Sequence, residues 1–230
     1  MNIDKKEIDN FDSFAHEWWN KRGPYKLIHN LTPLRLEYIR SHLDIKSLNI
    51  LDIGCGGGIL AEELTKNGAK VTGLDASKKT IRVARSHAKE KNYDINYIDI
   101  SLEEHIKKVK KKYDAVICFE LIEHVPDQLK LIQDISSICK KDGKLFMSTI
   151  NRNIISFIFA KLMAEYILKI VPEGTHQYTK FVKPSELAKI LEVSKYSIDD
   201  IKGIKLNPID YKFSFSSITR INYFMTATKK

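Results

Sequence analysis

The sequence predicts an α/β protein built on a doubly wound, mostly parallel sheet with one antiparallel strand at its C-terminal end. Three observations carry this. Between residues 48 and 150, short apolar runs alternate with amphipathic stretches at helical spacing, and that β-α-β-α rhythm implies parallel strands joined by crossover helices. The first apolar run turns on Gly54-Cys55-Gly56-Gly57-Gly58 straight into a helical pattern. The last run, Ile221 to Thr228, alternates its faces with period two.

The elements follow in order. Residues 1–10 are polar, whereas 11–30 carry Phe11, Phe14, Trp18, Trp19, Tyr25 and His29, too aromatic for a linker. They predict a helix and loop that cap the core. Thr32 and Pro33 read as an N-cap and a first-turn proline, with Leu36, Ile39 and Leu43 at helical spacing behind them. Strands are expected at 48–53, 69–75, 94–100, 113–119, 144–150 and 221–228. Helices are expected at 58–67, 77–91, 102–112, 127–140 and 184–192. Ser77 and Ser101 are N-cap candidates, and Ser101 with Glu104 has the spacing of a capping box. The whole of 1–230 reads as one domain, with an N-terminal cap at 11–43 and an insertion at 151–183.

A strand that turns on glycines into a helix N-terminus makes a nucleotide-type pocket: the missing β-carbons admit a ligand, and unpaired amides face it. Asp75 ends the second strand 21 residues after Gly54, placed to accept hydrogen bonds from ribose hydroxyls. A dinucleotide fingerprint would need glycine at position 59, where this chain has Ile59. Asp52, two residues before Gly54, is also foreign to that fingerprint. The loop with its leading acid resembles motif I of class I S-adenosylmethionine-dependent methyltransferases. The resemblance implies a Rossmann-like fold, and that Asp52 and the loop, Gly54 and Gly56 included, hold the cofactor's cationic amino-acid end.

The formal charge of +9 does not point to nucleic acid. Of 38 basic residues 31 are lysine, and isoleucine also numbers 31, a joint excess that fits A/T-rich codons. The densest run, Lys107 to Lys112, falls at a helix end, where lysines favour the dipole; an anionic membrane surface is the other reading. No N-P-P-Y-like tetrapeptide follows the fourth strand, as an amino-methyltransferase of nucleic acid would need. Cys55, Cys118 and Cys139 form no C-x-x-C pair, which suits a reducing cytosol. Residues 1–6 hold no apolar leader of the secretory kind.

The fourth strand delivers Glu120-Leu121-Ile122-Glu123-His124 to the carboxyl edge of the sheet, where open α/β sheets bind ligands. If that stretch turns helically, Glu120, Glu123 and His124 share a face. Three readings stay open: a site for Mg²⁺ or another divalent cation that would acidify a phenol, His124 with Glu120 as base machinery, or mere support of the cofactor pocket. His176 is a second candidate base.

Residues 154–171 are almost wholly apolar, with Lys161, Glu165 and Lys169 in one stripe at i, i+4, i+8. That arc is wider than a packed surface helix needs, and too charged to span a bilayer. The expectation is an amphipathic helix lying on a membrane or walling a lipophilic substrate; a buried helix is the alternative.

A more specific likeness covers residues 11–228. Phe11, Trp18-Trp19, Lys26, His29, Pro33-Leu34-Arg35-Leu36, Glu123-His124-Val125-Pro126-Asp127, Ser148-Thr149-Ile150-Asn151-Arg152-Asn153, Val171-Pro172-Glu173-Gly174-Thr175-His176 and Lys180-Phe181-Val182-Lys183-Pro184 resemble the ubiquinone biosynthesis O-methyltransferase family. Asn20, Thr32 and Phe119 depart from its usual residues. The resemblance implies methyl transfer from S-adenosylmethionine to ring hydroxyls of polyprenylated phenols, at both O-methylation steps. It implies cofactor contacts at Arg35, Gly54, Asp75 and Phe119, with Asp99 beside the adenine. It further implies a cytoplasmic enzyme, peripheral at the inner face of a bacterial cell membrane, with other proteins of ubiquinone synthesis as candidate partners and no nucleic acid. A methyltransferase for another phenol or for RNA, and a cofactor-binding scaffold without turnover, are the competing readings. The apolar segment weighs against RNA, and Glu120, Glu123 and His124 weigh against the scaffold.

Overall fold

The structure is a computed structural model that describes residues 2–3, 8, 12–154, 156 and 180–230. Its strands are β1 (Asn49–Ile53), β2 (Lys70–Leu74), β3 (Asn96–Ile98), β4 (Tyr113–Phe119), β5 (Cys139–Ile150), β6 (Tyr196–Leu206), β7 (Phe213–Ser216) and β8 (Asn222–Lys229). They form one sheet in the order β3-β2-β1-β4-β5-β8-β6-β7. The first five are parallel, as the alternating rhythm requires. The order reverses between β1 and β4, and a ligand crevice belongs at that switch.

The helices are α1 (Lys26–His42), α2 (Ile59–Lys66), α3 (Lys78–Glu90), α4 (Leu102–Lys108), α5 (Gln128–Ile138) and α6 (Pro184–Val193). They cover both faces of the sheet. Ile50, Ala115, Ile117 and Phe146 pack with Ile39 of α1, Leu64 of α2 and Ile81 of α3. Their neighbours Leu51, Val116, Cys118 and Leu145 pack with Ile132 of α5 and Leu187 of α6 on the other face. A strand buried on both sides has no polar face to show, which is why these runs read as continuously apolar. Ser77 caps α3 by accepting from the Thr80 amide, and Ser101 with Glu104 closes the expected capping box on α4. The three cysteines are buried and free. The lysine run from Lys107 to Lys112 ends α4 with every lysine exposed.

Two expectations are corrected. Three antiparallel strands, not one, complete the sheet: β8 lies between β5 and β6, and β7 forms the edge. Strand β6 shifts register on β8 between Ile198 and Asp200, so its buried positions change phase and leave Gly203 and Ile204 buried side by side. A bulge of this kind erases the period-two signal. The Thr32-Pro33 pair does not begin a helix. It lies inside α1, where Thr32 Oγ1 donates back to the Ile28 carbonyl at 2.8 Å. An interior proline costs a helix about 3 kcal/mol, and here the burial of Leu31, Leu34, Tyr38 and Ile39 against the sheet outweighs it. Of the expected insertion at 151–183, the central stretch 157–179 lies outside the described residues, so the apolar helix at 154–171 is not described beyond Ile154 and Ser156.

Candidate active site

The glycine loop departs from β1 with Gly54, Gly56 and Gly58 at φ of +71°, +55° and +87°, a left-handed path that residues with a β-carbon resist. At Gly58 a β-carbon would also lie 2.1 Å from the Tyr97 hydroxyl. The loop is tied to the end of β2. The Gly54 and Cys55 amides donate to the Leu74 carbonyl at 2.8 and 3.0 Å, and the Gly56 amide donates to Asp75 Oδ2 at 3.0 Å. This corrects the expectation of unpaired amides facing the ligand. The Gly58 amide donates to the Cys55 carbonyl at 3.0 Å, so four of the loop's five amides already have partners, an arrangement ill suited to a pyrophosphate.

Between this loop and the ends of β2 and β4 lies a cavity of about 310 Å³. Arg35, Asp52, Gly54, Gly56, Asp75, Phe119, Glu120 and His124 all line it. Topology thus brings together eight sequence candidates drawn from α1, from β1 and the loops after β1 and β2, and from β4 and the turn behind it.

Each group has a distinct setting. Asp75 also accepts from the Ser77 amide at 2.8 Å; burial raises its carboxyl pKa, and these two backbone donors oppose that. Asp52 is buried, and desolvation pushes its pKa up to about 7 against the pull of Arg35. Arg35 is buried with its guanidinium carbon 5.3 Å from the centre of the Phe119 ring and Nη2 4.0 Å from Glu120 Oε1. Its Nε has no partner among the described residues. A buried orphan donor beside a cavity fits an anionic ligand group such as a carboxylate.

Glu120 adopts φ of +50°, and between it and α5 the chain makes a single 3₁₀ turn, Ile122–His124. The stretch therefore does not wind as one helix, and the three side chains do not share a face. Glu120 Oε1 accepts from the Ser148 hydroxyl at 2.7 Å, while Glu123 points into the interior and accepts from Thr149 Oγ1 at 2.8 Å. Burial and the neighbouring Glu120 push Glu123 up to about 8, with His124 opposing. Among the described residues no three His, Cys, Asp or Glu side chains converge as metal ligands. The expected cation on Glu120, Glu123 and His124 thus has no preformed site among the described residues.

Asp99 is not among the cavity's lining residues. Its carboxylate accepts from Arg85 Nη2 at 3.0 Å, and Ile100, Ser101 and Leu102 line the cavity in its place. His176 lies outside the described residues. Sequence reasoning missed Trp18 as a cavity wall, although the aromatic density of 11–30 announced a cap. Leu131 and Ile100 gave no signal, because nothing separates them from ordinary core residues.

Comparison with known proteins agrees with this geometry. A methyltransferase-domain family matches residues 33–198. The ubiquinone biosynthesis O-methyltransferase of Vibrio vulnificus is 42% identical over 230 residues, covering 100% of this chain and 98% of that protein. Proteins of the same name from Chromobacterium violaceum and Dechloromonas aromatica are 40% and 39% identical, over 100% and 98% of this chain and 98% and 97% of theirs. Among solved structures, magnesium protoporphyrin IX methyltransferase from Synechocystis with bound SAM superposes with a TM-score of 0.67 at 20% identity, over 99% of this chain and 98% of that one. That last likeness shows the fold alone.

Proposed function

This chain belongs to the ubiquinone biosynthesis O-methyltransferase family, and we propose that it methylates ring hydroxyls of polyprenylated phenols at both O-methylation steps of ubiquinone synthesis. One observation carries the reading: a single cavity is lined both by the acids and glycines of the cofactor loop and by Glu120 and His124. S-adenosylmethionine, when bound, supplies a methyl group activated by its sulfonium.

The chain's own residues divide the remaining work. Asp75, with lone pairs beyond those used by two amides, takes the ribose hydroxyls. Arg35 meets the cofactor's carboxylate through its orphaned Nε, and Asp52 meets the ammonium. Phe119 packs against the adenine. His124, which lines the same cavity, removes the phenolic proton, since an ordinary phenol with a pKa of about 10 is a poor nucleophile at neutral pH. Glu120, held by Ser148 and 4.0 Å from Arg35, lines the same cavity and assists His124 as base machinery.

The test is transfer of labelled methyl from S-adenosylmethionine to a short-chain demethylubiquinol and to the earlier polyprenylated hydroxyphenol. Methylation of neither, by a folded protein that binds the cofactor, would favour a different phenol or a scaffold. Turnover that is lost on chelation and restored by Mg²⁺ would mean that Glu120 and Glu123 leave Ser148 and Thr149 to hold a cation.

The buried Asp52 makes cofactor binding pH-dependent. With its pKa near 7, against the ordinary 3.8, the folded protein keeps a proton that the unfolded chain releases. Asp52 therefore lowers stability as pH rises from about 4 to 7. The cofactor's ammonium prefers the ionised carboxylate, so affinity for S-adenosylhomocysteine should rise up to about eightfold between pH 6 and pH 7.5, by calorimetry. Asp52→Asn should bind more weakly at pH 7.5 and flatten the profile; an equally steep profile in that variant would place the titrating group elsewhere.

Membrane contact through 154–171 is part of the same proposal, because a polyprenyl tail keeps the substrate in the bilayer. No helix among the described residues is long and apolar enough to cross a membrane. Each large apolar side chain buried in the interface contributes roughly 1.5–3 kcal/mol, so a few suffice for reversible binding at the inner face of the cell membrane. The triple substitution Phe157→Ser, Phe159→Ser, Leu162→Ser should reduce sedimentation with liposomes while cofactor affinity stays near wild type. Undiminished sedimentation of the folded variant would move the contact to another surface.

A further inference from the structure

The adjacent tryptophans of the N-terminal cap do different things. Trp18 lies flat against the glycine loop: a β-carbon on either Gly56 or Gly57 would sit 2.5 Å from an atom of its side chain. Its other face stacks on Tyr25, ring centres 3.8 Å apart, and it walls the cavity. Trp19 does not line the cavity. Its Nε1 donates to the Gly57 carbonyl at 3.0 Å, and its ring stacks on His87 at 3.4 Å with the planes 7° apart. His87 Nδ1 is 2.7 Å from Glu62 Oε1, a carboxylate with 1% of its side chain exposed. Glu62 stands in the first turn of α2, directly after the glycine loop.

These contacts make one chain, from Glu62 through His87 and Trp19 to Gly57, that begins and ends beside the cofactor loop. Its members are drawn from α2, α3 and the cap, and nothing in the proposed chemistry uses them. A buried carboxylate needs a partner, and His87 provides it. An imidazole fixed in this way presents a flat face at a set height, which is what an indole needs for close stacking. Because Trp18 immediately precedes Trp19 in the chain, the position of Trp19 constrains that of Trp18.

We propose that His87, backed by Glu62, is a latch: it seats Trp19 on the glycine loop and so keeps Trp18 closed over bound cofactor as the lid of the site. His87 and Glu62 are positioning residues. They act on cofactor retention and not on the methyl transfer itself. The proposal rests on the reading of this cavity as the S-adenosylmethionine site.

The test compares His87→Ala with the double variant His87→Phe, Glu62→Leu, which keeps a stacking ring and removes the carboxylate that would otherwise lose its partner. Trp19→Phe, which keeps the ring and loses the N–H to Gly57, is the third. S-adenosylhomocysteine is the probe, with calorimetric Kd, the dissociation rate from tryptophan fluorescence, and KM against kcat. For His87→Ala the Kd, dissociation rate and KM for cofactor should each rise about tenfold, with kcat at saturating cofactor within about twofold of wild type. The double variant should recover most of the affinity, and Trp19→Phe should lose about threefold. Wild-type affinity in His87→Ala overturns the latch, as does a fall in kcat with unchanged KM. If His87→Ala does not fold, unchanged affinity in Trp19→Phe overturns it equally. Failure of the wild type to bind S-adenosylhomocysteine would instead overturn the assignment of the cavity.

Discussion

His124→Ala is expected to lower kcat by roughly 10²- to 10⁴-fold, the usual contribution of a positioned general base, while cofactor affinity stays near wild type. His124 lines the cavity from the 3₁₀ turn behind β4, whereas Asp52, Asp75 and Arg35 come from other elements, so its removal leaves their own hydrogen bonds and ion pairs in place. The deficit should shrink as pH approaches about 10, where a phenol ionises without help. That recovery separates a lost base from a collapsed site, which no pH would repair. A variant with wild-type kcat would assign deprotonation elsewhere, with His176 the next candidate. A deficit constant from pH 7 to pH 10 in a folded variant would make His124 a structural residue.

The second large effect belongs to Asp75→Ala, which should weaken S-adenosylmethionine binding by one to two orders of magnitude. A hydrogen bond to a charged acceptor is worth roughly 1.5–3 kcal/mol, and two ribose hydroxyls compete for this carboxylate. The variant also strips partners from the Gly56 and Ser77 amides, so the loop that shapes the cavity loosens. Asp75→Asn keeps one carbonyl oxygen and should bind with intermediate affinity. Calorimetry reads all three proteins, and an Asp75→Ala affinity equal to wild type would remove Asp75 from the site.

What could be read from the chain alone was whatever local spacing dictates. The glycine loop, Asp52 before it and Asp75 after it sit where a strand, a turn and a helix must place them, so counting residues sufficed. The capping box at Ser101 and Glu104 is likewise a contact within one turn. Arg35 and Phe119 were available only through family resemblance, because nothing in their own neighbourhoods marks them as cavity residues.

Errors arose where distant partners outvote local preference. Pro33 reads as a helix start, but the buried face of α1 carries the helix through it. Asp99 stands beside the cavity in sequence, yet Arg85 on α3 takes its carboxylate. Glu120, Glu123 and His124 have helical spacing, but the left-handed backbone at Glu120 sends Glu123 inward to Thr149 on β5.

By itself the sequence determined the parallel α/β core and the place of the glycine loop between Asp52 and Asp75, because both follow from periodicity and from the few conformations a glycine-rich turn can take. Only the tertiary structure decided the three-strand antiparallel edge, the inward turn of Glu123, and the seating of Trp18 and Trp19 against Gly56, Gly57 and His87. Those arrangements depend on contacts between residues far apart in the chain, whose packing free energy has no counterpart in any local stretch of sequence.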